Sequence, residues 1–156
     1  MANCLRTLQF LCLGLWLGSD VFLSFVVAPG AFRVLASRDQ AGAVVGYSLG
    51  WMHMIGVICG VVFLVSRFLR NRNFATLVAP ATLCVVLMIL LTVVSQHAVS
   101  PRMAELRVQM GSIEATGEGN PLLAEFQKLH RRSVLLESGV LLAGIAAMFW
   151  LVREGG

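Results

Sequence analysis

Several ionisable side chains lie inside long apolar runs of this sequence. Asp20 is set among Leu, Val and Phe in the stretch GSDVFLSFVVAPGAF, and Glu137 directly follows the apolar run VLL. A charged side chain at the centre of a bilayer costs about 2.5–3.5 kcal/mol on insertion scales, so an ionisable group in such a run predicts a functional site. A buried carboxylate can bind and release a proton, or it can pair with a neighbouring polar side chain.

Asp20 and Glu137 belong to a larger group of polar residues near one end of the apolar runs. Asp20 lies eight residues before Ala28, which at 1.5 Å per residue places it roughly 12 Å below that end of its segment. His130 and Glu137 are seven residues apart and therefore share one face of a helix. The predicted polar cluster comprises Asp20, Ser24, Tyr47, Gln96, His97, His130, Ser133 and Glu137.

Two interpretations of this polar cluster stay open. In the first, the cluster is a pocket or relay open to one side of the membrane, with Asp20 and Glu137 as the proton-accepting groups. In the second, hydrogen bonds between Asp20 and its polar neighbours fix the register of the helices and bind no substrate. Polar contacts between membrane helices average about 0.6 kcal/mol, so networks of the second kind are common. In both cases the opposite half of the bundle is expected to be almost purely apolar.

His53 is a separate candidate, because it lies in the middle of a stripe of glycines. At 100° per residue these glycines fall on one face of a helix. Small residues at this spacing let another helix approach closely, and they would equally admit a flat macrocycle, with the imidazole as axial ligand of haem or a chlorophyll. The predicted packing glycines are Gly42, Gly46, Gly50, Gly56 and Gly60 around His53, with Gly14 and Gly18 on the first segment.

No sequence motif supports the other functional classes. No paired nucleophile and base, phosphate-binding loop or metalloprotease motif occurs, so we predict that the chain is not an enzyme. The four cysteines lack the C-x-x-C spacing of metal or redox sites, and we predict no metal site and no cofactor beyond the tetrapyrrole alternative. No basic and aromatic pattern indicates nucleic-acid binding. The net charge of +4 instead fits contact with anionic lipid headgroups.

The composition places these residues in a membrane protein. Hydrophobic residues make up 58% of the 156 residues and charged residues only 13%, with a mean hydropathy of +0.82. A soluble domain averages about 25% charged residues, and a spanning helix needs roughly 20 apolar residues. We therefore predict an all-α, integral membrane four-helix bundle in a single domain over residues 1–156. The predicted spans cover residues 5–28, 42–68, 74–98 and 133–152.

Proline and glycine set two of the predicted boundaries. Pro29-Gly30 is expected to end the first span, since proline cannot continue a regular helix. The first span is expected to stay in the protein rather than to be cleaved as a signal peptide. Asn120-Pro121 is expected to begin the last helix, and no breaker follows before the C-terminus. This last helix should exceed roughly 30 residues, with its first turns outside the lipid.

The long polar connection, residues 99–132, is expected to contain a short helix of its own. Ser100 is a suitable N-cap, Pro101 a suitable first residue and Gly111 a suitable stop. Three apolar residues of this helix share one face, which predicts that it lies along the membrane interface. They are Met103, Leu106 and Met110.

Three short motifs occur in chain order: Gly18-Ser19 to Ala28-Pro29 and Phe32, Pro101-Arg102 with Glu105, and Phe126 with Leu129-His130 and Ser133. Together they resemble one bacterial family, called domain of unknown function 4149, which is related to the eukaryotic transmembrane protein 205. This resemblance implies four membrane helices, with the Pro-Arg and Leu-His motifs near the membrane edge. It implies no single biochemical role, although links to metal-drug resistance and secretion are proposed for the eukaryotic branch.

The sequence leaves three functional classes open. First we place a non-catalytic accessory or scaffold subunit, bound through its glycine faces to other subunits of a larger membrane complex. Second is a small transporter or a metal- or proton-handling protein that uses polar residues of the cluster. Third is a tetrapyrrole-binding subunit with His53 as ligand. We predict a bacterial inner-membrane location with cytoplasmic termini, because the short second loop is rich in arginine.

Overall fold

The computed structural model of the chain describes residues 2–71, 76 and 78–154. All regular structure in this part of the chain is helical, and four helices are long and apolar enough to cross a membrane. The predicted all-α membrane bundle is therefore confirmed. The elements are α1 (Ala2–Phe22), a first π-turn (Leu23–Val27), α2 (Ala28–Val34), α3 (Arg38–Asn71), α4 (Pro80–Val94), a second π-turn (Ser95–Val99), α5 (Ser100–Met110) and α6 (Pro121–Arg153).

The first membrane helix runs through Pro29 to Val34 instead of ending at Ala28. In a regular α-helix, the proline ring collides with the carbonyl four residues earlier and the missing N–H leaves a hydrogen bond unmade. Here the preceding turn is wider, and the N–H of Ala28 bonds the carbonyl of Leu23, five residues back. Such a π-turn lets a helix continue through a proline. The prediction that Pro29-Gly30 ends this span is wrong.

The third membrane helix continues through Pro101 by the same device. The N–H of Ser100 bonds the carbonyl of Ser95, five residues back, and the Ser100 hydroxyl donates to the same carbonyl at 3.1 Å. Ser100 is therefore not the N-cap of a separate helix, because one helix extends over Pro80–Met110. This helix stops at Gly111 as predicted, where φ is 69°, a backbone conformation that glycine adopts readily.

The face of α5 that the sequence pattern places on the membrane interface packs against α6 instead. Leu106 is fully buried in one apolar cluster with Phe126 and Leu129 of α6. Met103 and Met110 pack against the same cluster. The periodicity of α5 is as predicted, but its partner is protein rather than lipid headgroups, because the first turns of α6 run beside it.

The last membrane helix begins where the sequence predicts. The side chain of Asn120 accepts a hydrogen bond from the N–H of Leu122 at 2.9 Å, and Pro121 occupies the first turn. This helix is 33 residues long, which confirms the predicted length. The third membrane helix begins at Pro80, whereas its predicted start at residue 74 lies outside the described residues.

The four membrane helices pack in a ring, in which α1 contacts α3, α3 contacts α4, α4 contacts α6 and α6 contacts α1. Trp16, Phe63 and Met88 are among the largest side chains of the apolar core inside this ring. The space beside Cys12 and Cys59 in this core is too narrow for a water molecule. The middle of the ring is therefore a tightly packed apolar layer.

Three glycines bring the helices close together. A Cβ added at Gly56 would lie 2.3 Å from Nε1 of Trp16, and one at Gly60 would lie 2.9 Å from Cζ3 of the same ring. Gly144 of α6 is a third such position, which the sequence pattern did not single out. A Cβ added there would lie 2.4 Å from Cδ2 of Leu17. An added Cβ would meet no heavy atom within 4 Å at Gly14, Gly18 and Gly50, and would meet Arg107 at Gly42 and Gly46.

The connection between α5 and α6 is tied to the start of α3. Asp39 accepts hydrogen bonds from the hydroxyl of Ser112 at 2.6 Å and from the N–H of Ile113 at 2.9 Å. The N–H of Arg38 donates to Oε1 of Glu114 at 3.0 Å. These contacts hold the connection against one end of the bundle.

Candidate functional site

A buried histidine connects three helical segments inside the bundle. His53 of α3 is 2% exposed. Its Nδ1 lies 2.7 Å from Oε1 of Gln96 in the second π-turn, and its Nε2 lies 2.7 Å from Oε1 of Glu137 on α6. Both distances are those of short hydrogen bonds. His53 therefore ties α3 to two other membrane helices through side chains alone.

The partners of His53 fit two protonation states of its ring. Oε1 of the Glu137 carboxylate accepts a hydrogen bond from Nε2–H in both states. The Gln96 side chain accepts from Nδ1–H when the ring is an imidazolium, and it can donate an amide N–H when Nδ1 carries no proton. The hydroxyl of Ser95 donates to the same carboxylate oxygen at 3.0 Å. One oxygen of Glu137 thus serves two donors.

Asp20 of α1 lies beside this pair and is 1% exposed. Ser24, one turn further on, donates to its Oδ1 at 3.3 Å. The Asp20 carboxylate is near enough to interact electrostatically with both Glu137 and His53. Among the described residues, neither Oδ2 of Asp20 nor Oε2 of Glu137 has a hydrogen-bond partner, although both atoms are buried. Each carboxylate therefore keeps one free acceptor oxygen inside the bundle.

These residues lie near the middle of all four membrane helices. Glu137 is 16 residues from each end of α6, and Ser95 is 15 residues from each end of the helix Pro80–Met110. His53 and Asp20 lie near the middle of their own helices. The first π-turn begins three residues after Asp20 and the second contains Ser95 and Gln96. Such turns are frequent at functional sites. The residues that form what we call the carboxylate–imidazole cluster are Asp20, Ser24, His53, Ser95, Gln96 and Glu137.

Four of the eight residues predicted for the polar cluster lie in this carboxylate–imidazole arrangement, and four do not. Tyr47 is 70% exposed, and His130 is exposed on the outer side of α6. His97 is also exposed, and its Nδ1–H donates to the carbonyl of Val93 at 3.1 Å. Adjacent helix positions diverge by 100°, so His97 cannot face the same way as its neighbour. Ser133 is buried one turn before the cluster. The residues brought together are Asp20, Ser24, Gln96 and Glu137.

The sequence pattern assigns His53 to a site of its own, whereas the structure places it at the centre of the cluster. The register between α1 and α3 decides this. Trp16 packs on Gly56, and in an antiparallel pair the next turns of the two helices bring Asp20 to the level of His53. No local sequence pattern predicts this register between the two helices. The sequence does show that Asp20 and His53 are isolated ionisable residues in apolar helices, which predicts that both face protein rather than lipid.

The other end of the bundle is more polar than the sequence predicts. Arg67 is 3% exposed and forms an ion pair with Glu154. Thr82 is also buried, and its hydroxyl donates to the carbonyl of Thr76 at 2.8 Å. Gln9 is fully buried, and among the described residues its amide has no hydrogen-bond partner. The apolar core separates these groups from the carboxylate–imidazole cluster.

The surroundings of His53 bear on the cofactor hypotheses. Both ring nitrogens are engaged by protein side chains, so axial ligation of a tetrapyrrole metal would require one of these hydrogen bonds to break. The nearby surface of Gly56 and Gly60 is covered by the indole of Trp16. Within residues 2–71, 76 and 78–154, no three His, Cys, Asp or Glu side chains are placed to hold a metal ion.

Comparisons with known proteins identify a family for most of this fold. A family model described as a domain of unknown function (DUF4149) matches residues 11–112, which is more than half of the chain. No curated protein and no solved structure matches the chain. The matched part contains Asp20, His53 and Gln96, whereas Glu137 lies beyond it. The chain therefore belongs to the DUF4149 family.

Proposed function

We propose that this chain is a small proton-handling membrane protein, in which the carboxylate–imidazole cluster takes up and releases a proton. One observation supports this above the others: two buried carboxylates beside a doubly hydrogen-bonded imidazole each keep one oxygen without a partner among the described residues. Ionisable groups inside a membrane are costly, and they mark proton or ion pathways in membrane proteins.

The hydrogen bonds of the cluster fit a group that changes its protonation. An imidazolium at His53 and two carboxylates give the cluster a net charge of −1. One further proton on Oδ2 of Asp20 or Oε2 of Glu137 would make it neutral. The amide of Gln96 can present either its oxygen or its NH₂ group to Nδ1, so that contact survives whether the ring carries one proton or two. Protonation therefore needs no large movement of the helices.

Access to the cluster is expected from the side of the connection between α5 and α6. Ser24 and Ser133 lie one turn from the two carboxylates in that direction, and Ser133 is buried there. The apolar part of α6 begins at Val134, three residues before Glu137, which places the carboxylate roughly 5 Å inside it. In the opposite direction lies the apolar core around Cys12 and Cys59, which is too narrow for water. We expect uptake from one side only.

Infrared difference spectroscopy of the protein in lipid vesicles, recorded over a series of pH values, tests this proposal. A protonated carboxyl group without a hydrogen bond absorbs at a different frequency from a hydrated one. This absorption should change with pH in the parent protein and should lose a component in Asp20→Asn and in Glu137→Gln. Glu118→Gln, an exposed change in the connection, is the matched control and should keep that component. If the carboxyl absorption of both cluster variants changed with pH as it does in the parent protein, the proposal would be overturned.

A second candidate function, an accessory or scaffold subunit of a larger membrane complex, is favoured by the outer face of α1. Gly14 and Gly18 are exposed and one turn apart. An added Cβ at either would meet no heavy atom within 4 Å. The spacing G-x-x-x-G in an apolar helix allows the backbone of a second helix to approach closely. The partner on this face would be another membrane-spanning helix.

Purification in a gentle detergent followed by mass spectrometry tests the subunit function. A stoichiometric membrane partner should accompany the parent protein and should be lost when Gly14 and Gly18 are both replaced by Leu. Ser138→Leu also places a leucine at an exposed position, on α6 instead of α1, and should retain the partner. A parent protein that purifies alone would contradict this function.

Four narrower predictions accompany these two functions. Haem or chlorophyll at His53 would give the purified protein a visible absorption spectrum, and a colourless preparation would remove that hypothesis. Three other expectations also stay predictions. They are the absence of enzymatic activity, the location in a bacterial inner membrane with cytoplasmic termini, and the relation to the eukaryotic transmembrane protein 205. Labelling of single exposed cysteines by a membrane-impermeant reagent would test the orientation.

A further inference from the structure

The outer surface of α6 carries a groove in which cationic and apolar side chains meet. The groove has a volume of about 350 Å³. We propose that it binds the phosphate headgroup of an anionic phospholipid, independently of the carboxylate–imidazole cluster. The lining residues are Phe126, Gln127, His130, Arg131 and Val134.

The cations of this surface are not neutralised by carboxylates of the described chain. Lys128, Arg131 and Arg132 are all exposed on α6. In the part of the chain that the structure describes, none of them lies within 4 Å of an Asp or Glu oxygen. Arg102 of the neighbouring α5 contrasts with them, because its Nε pairs with Glu125 at 2.9 Å. An unpaired guanidinium can offer two parallel N–H groups to a phosphate.

The groove lies where α6 changes from polar to apolar. Gln127, His130 and Arg131 line its polar part, and Val134 begins the apolar run that leads to the membrane-spanning part of the helix. A phospholipid has the same order of chemistry, with its phosphate at the edge of the hydrocarbon and its acyl chains inside. The phosphate would therefore meet His130 and Arg131 while an acyl chain lies along Val134. This order favours a lipid over a free phosphate ion.

The charge of the groove indicates which headgroup it accepts. Arg131, which carries a guanidinium, lines the groove. Arg107 of the neighbouring α5 lies 5.6 Å from the centroid of the Phe126 ring, but its guanidinium faces Gly42 and Gly46 of α3 rather than the groove. A zwitterionic headgroup carries its own cation, which the Arg131 guanidinium repels. The groove should therefore select lipids with a net negative charge, such as phosphatidylglycerol.

Lipid retention measured by native mass spectrometry tests this site. The full chain is reconstituted into vesicles of phosphatidylcholine and phosphatidylglycerol in equal parts and then extracted into a gentle detergent. The parent protein should retain phosphatidylglycerol in preference to phosphatidylcholine. Arg131→Gln should lower this preference about five-fold, the equivalent of about 1 kcal/mol for one cation near the membrane surface. Arg132→Gln removes an exposed cation that does not line the groove and should keep the preference.

Three results would overturn the inference. Equal losses in Arg131→Gln and Arg132→Gln would mean that the surface attracts anions without a defined groove. Equal retention of both lipids by the parent protein would mean that the groove does not select charge. Complete displacement of phosphatidylglycerol by added inorganic phosphate would assign the site to free phosphate rather than to a lipid. Circular dichroism of each variant confirms that the helices are intact, since Arg131 and Arg132 are both exposed.

Discussion

Replacement of Glu137 by alanine should destabilise the bundle by about 2–3 kcal/mol. Oε1 of Glu137 accepts hydrogen bonds from His53 at 2.7 Å and from Ser95 at 3.0 Å. Polar contacts between membrane helices average about 0.6 kcal/mol and reach about 1.7 kcal/mol, so two contacts are worth roughly 1–3.4 kcal/mol. The contact with His53 is short and charge-assisted, which places the sum in the upper half of that range.

Two further variants separate the hydrogen bonds from the packing at this position. Glu137→Gln keeps the shape of the side chain and the one oxygen that accepts both hydrogen bonds, but it removes the negative charge. It should cost about 1 kcal/mol, the difference between a charge-assisted and a neutral hydrogen bond to His53. Ser138→Ala changes the next residue, which is exposed and whose hydroxyl only contacts the carbonyl of Val134 on its own helix. This control should stay within about 0.5 kcal/mol of the parent.

Unfolding in mixed micelles of a gentle detergent and increasing sodium dodecyl sulfate measures these free energies. Helix content followed by circular dichroism gives the midpoint and slope for each variant. The expected order of stability is parent and Ser138→Ala, then Glu137→Gln, then Glu137→Ala. A Glu137→Ala variant as stable as the parent would refute the role of Glu137 in joining the helices. A Gln variant as unstable as the Ala variant would show that the charge, rather than the two contacts, carries the stabilisation.

Two further predictions concern the packing of α3 and the connection between α5 and α6. Gly56→Ala should cost about 1–3 kcal/mol in the same titration, because the added Cβ would lie 2.3 Å from Nε1 of Trp16. Gly50→Ala has open space and should not destabilise; equal stability of the two variants would contradict the close packing. Asp39→Ala should speed hydrogen–deuterium exchange in the connection, since it removes the acceptor that anchors it. Glu118→Ala should leave the exchange rate unchanged. If Asp39→Ala also left the exchange rate of the connection unchanged, Asp39 would not anchor it.

Both π-turns show how a local rule can be overridden. Because proline interrupts a regular helix, Pro29 is a reasonable helix end and Pro101 a reasonable first residue of a new helix. In the structure each follows a turn in which the preceding N–H bonds five residues back, so the helix continues. The sequence does not reveal this, because the rule considers the proline itself and not the geometry of the turn before it. The position of Ser95 and Gln96 in the cluster depends on the second of these turns.

The sequence by itself determined the number of spanning helices and the end signals that depend only on neighbouring residues. Hydropathy adds up along a segment of roughly 20 residues, so four apolar runs suffice to predict four helices. The cap at Asn120 and the stop at Gly111 are equally local, because each satisfies backbone groups within one turn.

Only the tertiary structure decided which ionisable residues meet. Asp20, His53 and Glu137 belong to three different helices, and their encounter depends on the register and rotation of each helix in the ring. That register follows from non-local packing, such as the fit of the Trp16 ring against the bare backbone of Gly56. A rotation of one residue turns a side chain by 100°, which is enough to place His97 outside the bundle while Gln96 binds His53 inside it.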